Sequence, residues 1–540
     1  MQTLVFGKSL KKVFALQTLI LWCMKSRQFL TCTLAILFSV FSSAQAQKID
    51  YSLVDKEDVR DMNFEIIGKL NGNILVYKNY RSRHGISVYD NDMQQKNRFE
   101  LTFLPDRVIN VDFIAYNDYA YMIYQHQKRN TIFCSMVKIN AEGKIMNDPV
   151  DIDTTQVSGN SENKVYTLIS SDDKKKIMLF KIKKNSERDY FFTTLLFDQQ
   201  LNLQKKSNFG LLSVEKDVVF TDFILDNDGD FAFGKCTKIG SRDYINKVDL
   251  FYKKSLSDSI LVQKIPLNDL TLDEVKIKFD NYNKKIILAS FFYKQRRGNI
   301  EGMYTMIWDK SQKTSLKTKQ YFFGDSLRQE ARSDNNSIKT AFNDQFIRQV
   351  IPTQNGGFAV FTESFYSNSR TNQWNRFDYL YGPGLMLSPF YSPFYYSPMS
   401  RLYPYGMYYD PFNRFGPQNN STRYVSENIV TFFFDENGNI KWNNAIRKSQ
   451  FDDNTDAYLG YQLFNTGSEI RFLFNQKEKR ELLLNSASVD ADGKVKRQPT
   501  LKNLNRDYDF MPKYGKQISL RQIIMPCMYK NYICFAKIEY

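Results

Sequence analysis

Two kinds of hairpin alternate along this chain, repeating about every 55 residues, and that repeat restricts the possible folds more than composition does. The first kind is a turn between two apolar runs. FEIIGKLNGNILVY turns at Asn71-Gly72, VDFIAYNDYAYMIY at Asn117-Asp118 and YTLISSDDKKKIMLF near Asp173. FTDFILDNDGDFAFG turns near Asp228, VKIKFDNYNKKIILASFF near Asn281 and QVIPTQNGGFAVF at Asn355-Gly356. YQLFNTGSEIRFLF turns at Gly467, and RQIIMPCMYKNYICFAKIEY at Lys530-Asn531. Tight hairpin turns need positive φ, which Gly and Asn adopt at least cost. The second kind reads apolar, Asp or Asn, two polar residues, often Gly, then polar and apolar. Residues 139–145, 434–440 and 489–495 are clear copies, with looser ones at Asp90, Asp198 and Asp309 and a degenerate one near Lys253-Lys254. Eight hairpins of the first kind alternate with seven of the second.

Each repeat therefore holds four short strands. Runs such as 286–292 and 430–434 are apolar at consecutive positions, so both faces of those strands need cover, whereas a sheet with one wet face alternates. On these residues the chain resembles secreted β-propeller repeat proteins in general, over nearly all of 47–540, and no motif points to a functional family among them. The resemblance implies an all-β fold of about eight four-stranded blades, with seven as the alternative. The last hairpin has no second-kind partner. A strand within 48–53 is expected to complete that blade, closing the ring with both chain ends in one sheet.

One repeat is stretched. Asp309 and Asp435 are more than twice the usual spacing apart, partly through a polar link with helical character at 325–344 and mostly through an insertion at 374–417. The insertion carries fifteen aromatic residues and seven of the fourteen prolines. Proline at this density excludes helix and regular sheet. Trp374, Tyr379, Tyr381, Phe390, Tyr391, Tyr395, Tyr396, Tyr403, Tyr405, Tyr408 and Tyr409 are the candidate binding residues. Such rings pack down as a lid over the propeller, dock a partner or a membrane surface, or stack on a glycan. The few charges, Arg376, Asp378, Arg401, Asp410 and Arg414, argue against a freely solvated linker.

Residues 1–46 read as a signal-peptide region, with Met24 the expected natural start. Lys25 and Arg27 precede the apolar run 29–41, and Ser42-Ser43-Ala44-Gln45-Ala46 offers a small-residue cleavage site. The competing reading is a tandem membrane anchor, since residues 1–23 repeat the basic-then-apolar theme. The protein is expected to be exported and to work in the periplasm or at the cell surface. Without the leader the chain keeps 69 basic against 58 acidic residues, spread in short pairs rather than gathered on one element. That distribution argues against nucleic acid and allows an anionic envelope surface or simple solubility.

Little else carries chemistry. Asp226, Asp228 and Asp230 alternate as in a calcium loop, but the distal bidentate acid is missing, so a polar turn is expected and no cofactor beyond a structural calcium is entertained. Residues 452–456 form a second acidic loop. His84 and His126 are the only histidines, which disfavours zinc hydrolysis and leaves few options for a Ser-His-Asp triad. Paired carboxylates of a glycoside hydrolase or lyase leave no local signature, so that alternative stays open with no catalytic residue nominated. Cys527 and Cys534 flank the last turn symmetrically and are a disulfide candidate; two buried thiols are the other reading. A non-enzymatic envelope binding or scaffold protein is expected, touching an envelope protein, a glycan or a membrane surface. An outer-membrane β-barrel is the architectural rival, supported by the alternating C-terminus and opposed by the doubly apolar strands.

Overall fold

The second-kind turns close on their own first side chain. Asp90 Oδ1 accepts from the amides of Asp92 at 3.0 Å and Gln94 at 2.8 Å. Asp198, Asp435 and Asp490 each accept from the same two relative positions. This short polar side chain substitutes for ladder hydrogen bonds where the chain reverses. Glycine completes the turn. Gly493 has φ +81°, and a Cβ there would lie 2.6 Å from the Trp442 ring of the preceding sheet. Both the backbone angle and the close approach exclude a larger residue.

The computed structural model describes residues 48–55, 62–80, 83–105, 108–158, 164–212, 214–240, 244–296, 298–312, 316–333, 337–369, 376, 380, 422–453, 455–478, 481–497, 508–530 and 532–540. It falls into two compact units, Met1–Ile49 with Ile538–Tyr540, and Asp50–Lys537. The leader 1–46 lies outside the described residues, as does the insertion 374–417 apart from Arg376 and Leu380. In the larger unit, four-stranded antiparallel sheets occupy 62–100, 108–156, 166–211, 345–452 and 461–497. Residues 218–322 hold two further four-stranded arms, joined only by the pair Ile245 and Leu272. A C-terminal sheet begins at Tyr508. The polar link supplies a short helix, Asp325–Ala331.

First strands of successive sheets lie side by side. Met62–Leu70 is beside Val108–Ala115, and Tyr166–Ser170 is beside Val218–Leu225. The last of these neighbours Thr271–Asp280, which in turn neighbours Gln345–Pro352. Four-stranded sheets gathered by their first strands make a β-propeller, and that is the fold. The strands are divided among separate sheets rather than joined in one closed sheet, so the barrel reading is set aside. No helix among the described residues is long and apolar enough to cross a membrane.

The doubly apolar runs now have their reason. Ile286, Leu288 and Phe292 pack into one core and Ile287, Ala289 and Phe291 into the next. A single strand thus covers two interfaces. Aromatic rings fill these spaces: Phe192 stacks on Phe209 at 4.7 Å and on Phe233 at 5.2 Å, and Phe233 on Phe251 at 5.0 Å. The expected N-terminal strand is present at Lys48–Tyr51. Just after it, the amides of Ser52 and Asp55 donate to Phe535 O and Ile533 O, both at 2.9 Å.

Candidate functional site: the inner strands and the root of the insertion

Several inner strands are interrupted by a bulge. The register shifts between Thr221 and Ile224, between Leu272 and Val275, and between Ile347 and Gln349. A bulge leaves its extra residues out of the ladder and re-aims their side chains. In the 218–265 sheet this frees Asp222, whose Oδ2 accepts from Ile277 N of the next inner strand at 2.7 Å. The next bulge frees Asp273 and Glu274, both buried. Glu274 Oε1 accepts from Ile347 N, again one blade further on. Carboxylates thus staple two inner strands to their successors.

Asp273 has another partner. The Arg376 guanidinium donates through Nε to both carboxylate oxygens, at 2.9 and 3.0 Å, and through Nη2 to Oδ2. Nη1 donates to Asn343 O at 3.1 Å, and the guanidinium sits 3.9 Å from the Phe346 ring centre. Tyr293 donates its hydroxyl proton to Asp273 Oδ1 at 2.8 Å. Arg376 is only 8% exposed. Four positions on, Leu380 is buried among Phe346, Phe365 and Leu459. The segment entering the insertion is therefore pinned at its root by a buried ion pair and an apolar contact.

The electrostatics mark these groups as structural. Burial lowers the basicity of Arg376, but Asp273 more than offsets this and holds it protonated. Glu274 is pushed up to about 7 by burial, against the pull of Lys276 and Arg376. Its Oε2 has no hydrogen-bond partner among the described residues. A second network surrounds Glu363, which takes Arg348 at 2.9 Å, Lys448 at 2.8 Å and Ser426 Oγ at 2.9 Å. These two cations overcome burial and keep Glu363 below its usual value. Of these groups Glu274 reaches the range of a general acid, but it faces a backbone amide in a closed interior.

The alternating acids Asp226, Asp228 and Asp230 do converge, their oxygens within 4.8 Å of one another. The positive charge at their centre is the Lys310 ammonium, bonded to Asp226 and lying 3.0 Å from Asp228 and from Asp230. Each acid has a further task. Asp226 caps its own turn, Asp230 accepts from Ser255 N at 3.0 Å, and Asp228 pairs with Lys284 at 2.7 Å. Ser255 lies in the degenerate second-kind turn, so Asp230 supplies the cap which that turn lacks. Burial raises Asp226 above the usual carboxylate range despite Lys310, whereas the hydrogen bonds from Lys284 and Lys310 lower Asp228.

The second acidic loop is divided among neighbours: Asp452 accepts from Thr455 N, Asp453 pairs with Arg423 and Asp456 with Lys513. Cys527 and Cys534 face each other as buried free cysteines with Sγ atoms 2.7 Å apart, and Cys534 Sγ donates to Cys527 O at 3.4 Å. Burial lowers His84 to about 4 and also lowers His126, so neither carries charge at neutral pH. The aromatic candidates from Trp374 to Tyr409 lie outside the described residues. Sequence reasoning missed Asp273 and Glu274, although two successive acids inside the strand LTLDEVKIKF were a visible signal of a bulge. It noted Arg376 only as one charge of the insertion.

No family model and no curated protein matches the chain. Among solved structures it is similar to apo prolyl oligopeptidase B from Galerina marginata, with 9% identity and a TM-score of 0.38, covering 87% of this chain and 56% of that one. A study of two prolyl endopeptidases gives 9% identity and 0.40, covering 88% and 56%. The Nup133 β-propeller domain of Vanderwaltozyma polyspora gives 10% and 0.34, covering 79% and 99%. The chain spans little more than half the length of the prolyl peptidases it matches. Its own sheet order carries the fold.

Proposed function

We propose that this is an exported binding or scaffold protein of a cell envelope, periplasmic or surface-associated, with the propeller as a rigid platform and the aromatic insertion as the contacting element. The Arg376–Asp273 ion pair carries this reading. A buried fork of this kind costs much desolvation free energy and is worth keeping only if well paired, and here it holds the point where the insertion leaves the platform. A root fixed on the platform gives a contacting element a defined point of departure, as a binding element needs. The contacted species would be an envelope protein, a glycan or a membrane surface, and the basic excess suits an anionic one.

The same proposal includes a ring of eight blades closed by the chain ends. The amide bonds of Ser52 and Asp55 to the last strand support it. So does Lys516, whose ammonium donates to Ile66 O and Ile67 O of the first blade.

The test is fractionation of the mature chain beside a variant lacking residues 382–417, which keeps Arg376 and Leu380 and so leaves Asp273 paired. The expected result is envelope association of the mature chain that is released by an alkaline wash and lost in the deletion. Equal behaviour of both chains would remove the insertion from the contact. Resistance of both to the wash would overturn the peripheral role.

A further inference from the structure

Lys174 stands at the tip of the hairpin that follows Tyr166–Ser170, with φ +57°. Comparable tips use Gly229, Gly356 and Gly467, at +86°, +84° and +90°. A long side chain in the left-handed region carries a backbone cost, so its retention asks for a use. Lys284, at φ +55°, shows one: its amine holds Asp228. Lys174 has no such acid. Its Nζ donates to Ala115 O at 2.7 Å, on a neighbouring inner strand.

Lys516 arrives from the C-terminal sheet and donates to Ile66 O at 2.9 Å and Ile67 O at 3.0 Å. These acceptors adjoin Ala115, because a Cβ placed on Gly68 would lie 3.3 Å from the Ala115 Cβ. Two ammonium groups are thus held on one pair of inner strands. Burial lowers the pKa of both, and the charge of Lys516 lowers that of Lys174 further. Among the described residues neither makes an ion pair; Glu65 acts on Lys516 from beyond that distance. Lys174 is exposed and Lys516 is mostly buried, so small solutes reach the pair from the Lys174 side. Each ammonium has three donors. One proton of Lys174 and two of Lys516 go to carbonyls, leaving three without an acceptor among the described residues.

We propose that Lys174 and Lys516 form an anion site on the inner strands, taking a small oxyanion of the phosphate class. Such an ion accepts from several donors at once and relieves the repulsion between two like charges. The site does not depend on the envelope reading.

Isothermal titration of the mature chain tests it, with inorganic phosphate, glycerol phosphate and sodium chloride at matched ionic strength. Lys174→Gly is the informative variant, since glycine suits the backbone angle while the amine is removed; Lys516→Met is the second. The expected result is a single-site isotherm with a phosphate probe, weakened at least about tenfold in either variant. Binding of glycerol phosphate alone would support the site and identify a phosphomonoester as its ligand. Equal heats from chloride and phosphate, or undiminished binding in both variants, would overturn the proposal.

Discussion

Arg376 and Asp273 lie 103 positions apart and meet through a fork of hydrogen bonds in the protein interior. The relationship joins the root of the insertion to an inner-strand bulge. Removing one partner leaves the other as an uncompensated buried charge, so Arg376→Ala or Asp273→Asn should cost about 3–5 kcal/mol. The double variant Asp273→Asn/Arg376→Ala should cost much less than the two single losses combined. Urea unfolding midpoints of the four proteins check this, and additive losses would show that the residues are not coupled.

Lys310 serves as the cation for three carboxylates. The wild type should show no thermal stabilisation by millimolar calcium, whereas Lys310→Met should be destabilised and then recover stability as calcium is added. Calorimetry with and without calcium decides the point. A wild-type response equal to that of the variant would mean that the acids take a metal despite the lysine.

Glu274 gives a pH signature with a definite sign. Its folded-state pKa is raised from 4.5 to about 7 by burial, so the native state binds this proton more tightly than the unfolded chain does. The associated stability is fully present below pH 4.5 and is lost as pH rises toward 7. Lys276, Arg376 and Asp273 are the charged groups acting on it. Glu274→Gln keeps an oxygen for Ile347 N and should remove this slope. The difference in unfolding free energy between wild type and variant, followed from pH 4 to 8, should change by at most about 1.4 kcal/mol per pH unit. A flat difference would contradict the raised pKa.

Cys527 and Cys534 should behave as thiols. Disulfide formation needs a thiolate to attack, and burial, with the neighbouring sulfur, pushes Cys527 far above the ordinary thiol range. Thiol titration should find none of Cys134, Cys236, Cys527 and Cys534 reactive in the native protein, all being buried, and all of them reactive after denaturation without reductant. Only two reactive groups after denaturation would establish a bridge.

The repeat, the hairpin turns and the need to bury both faces of a strand are local properties, and the sequence by itself determined them. Asp435 caps its turn through atoms four residues away, and Ile286 to Phe292 announce two covered faces by apolar character alone. From such local rules the propeller follows. The candidate sites were not legible in the same way. Asp226, Asp228 and Asp230 look like a cation loop until Lys310 arrives from 80 positions or more away. Asp273 looks like an interruption of a strand until Arg376 reaches it, and Lys174 and Lys516 share no local pattern. Which charges end as neighbours is decided by blade-against-blade packing. Close packing sets their distances and burial sets their strength, and neither is encoded at any single stretch of chain.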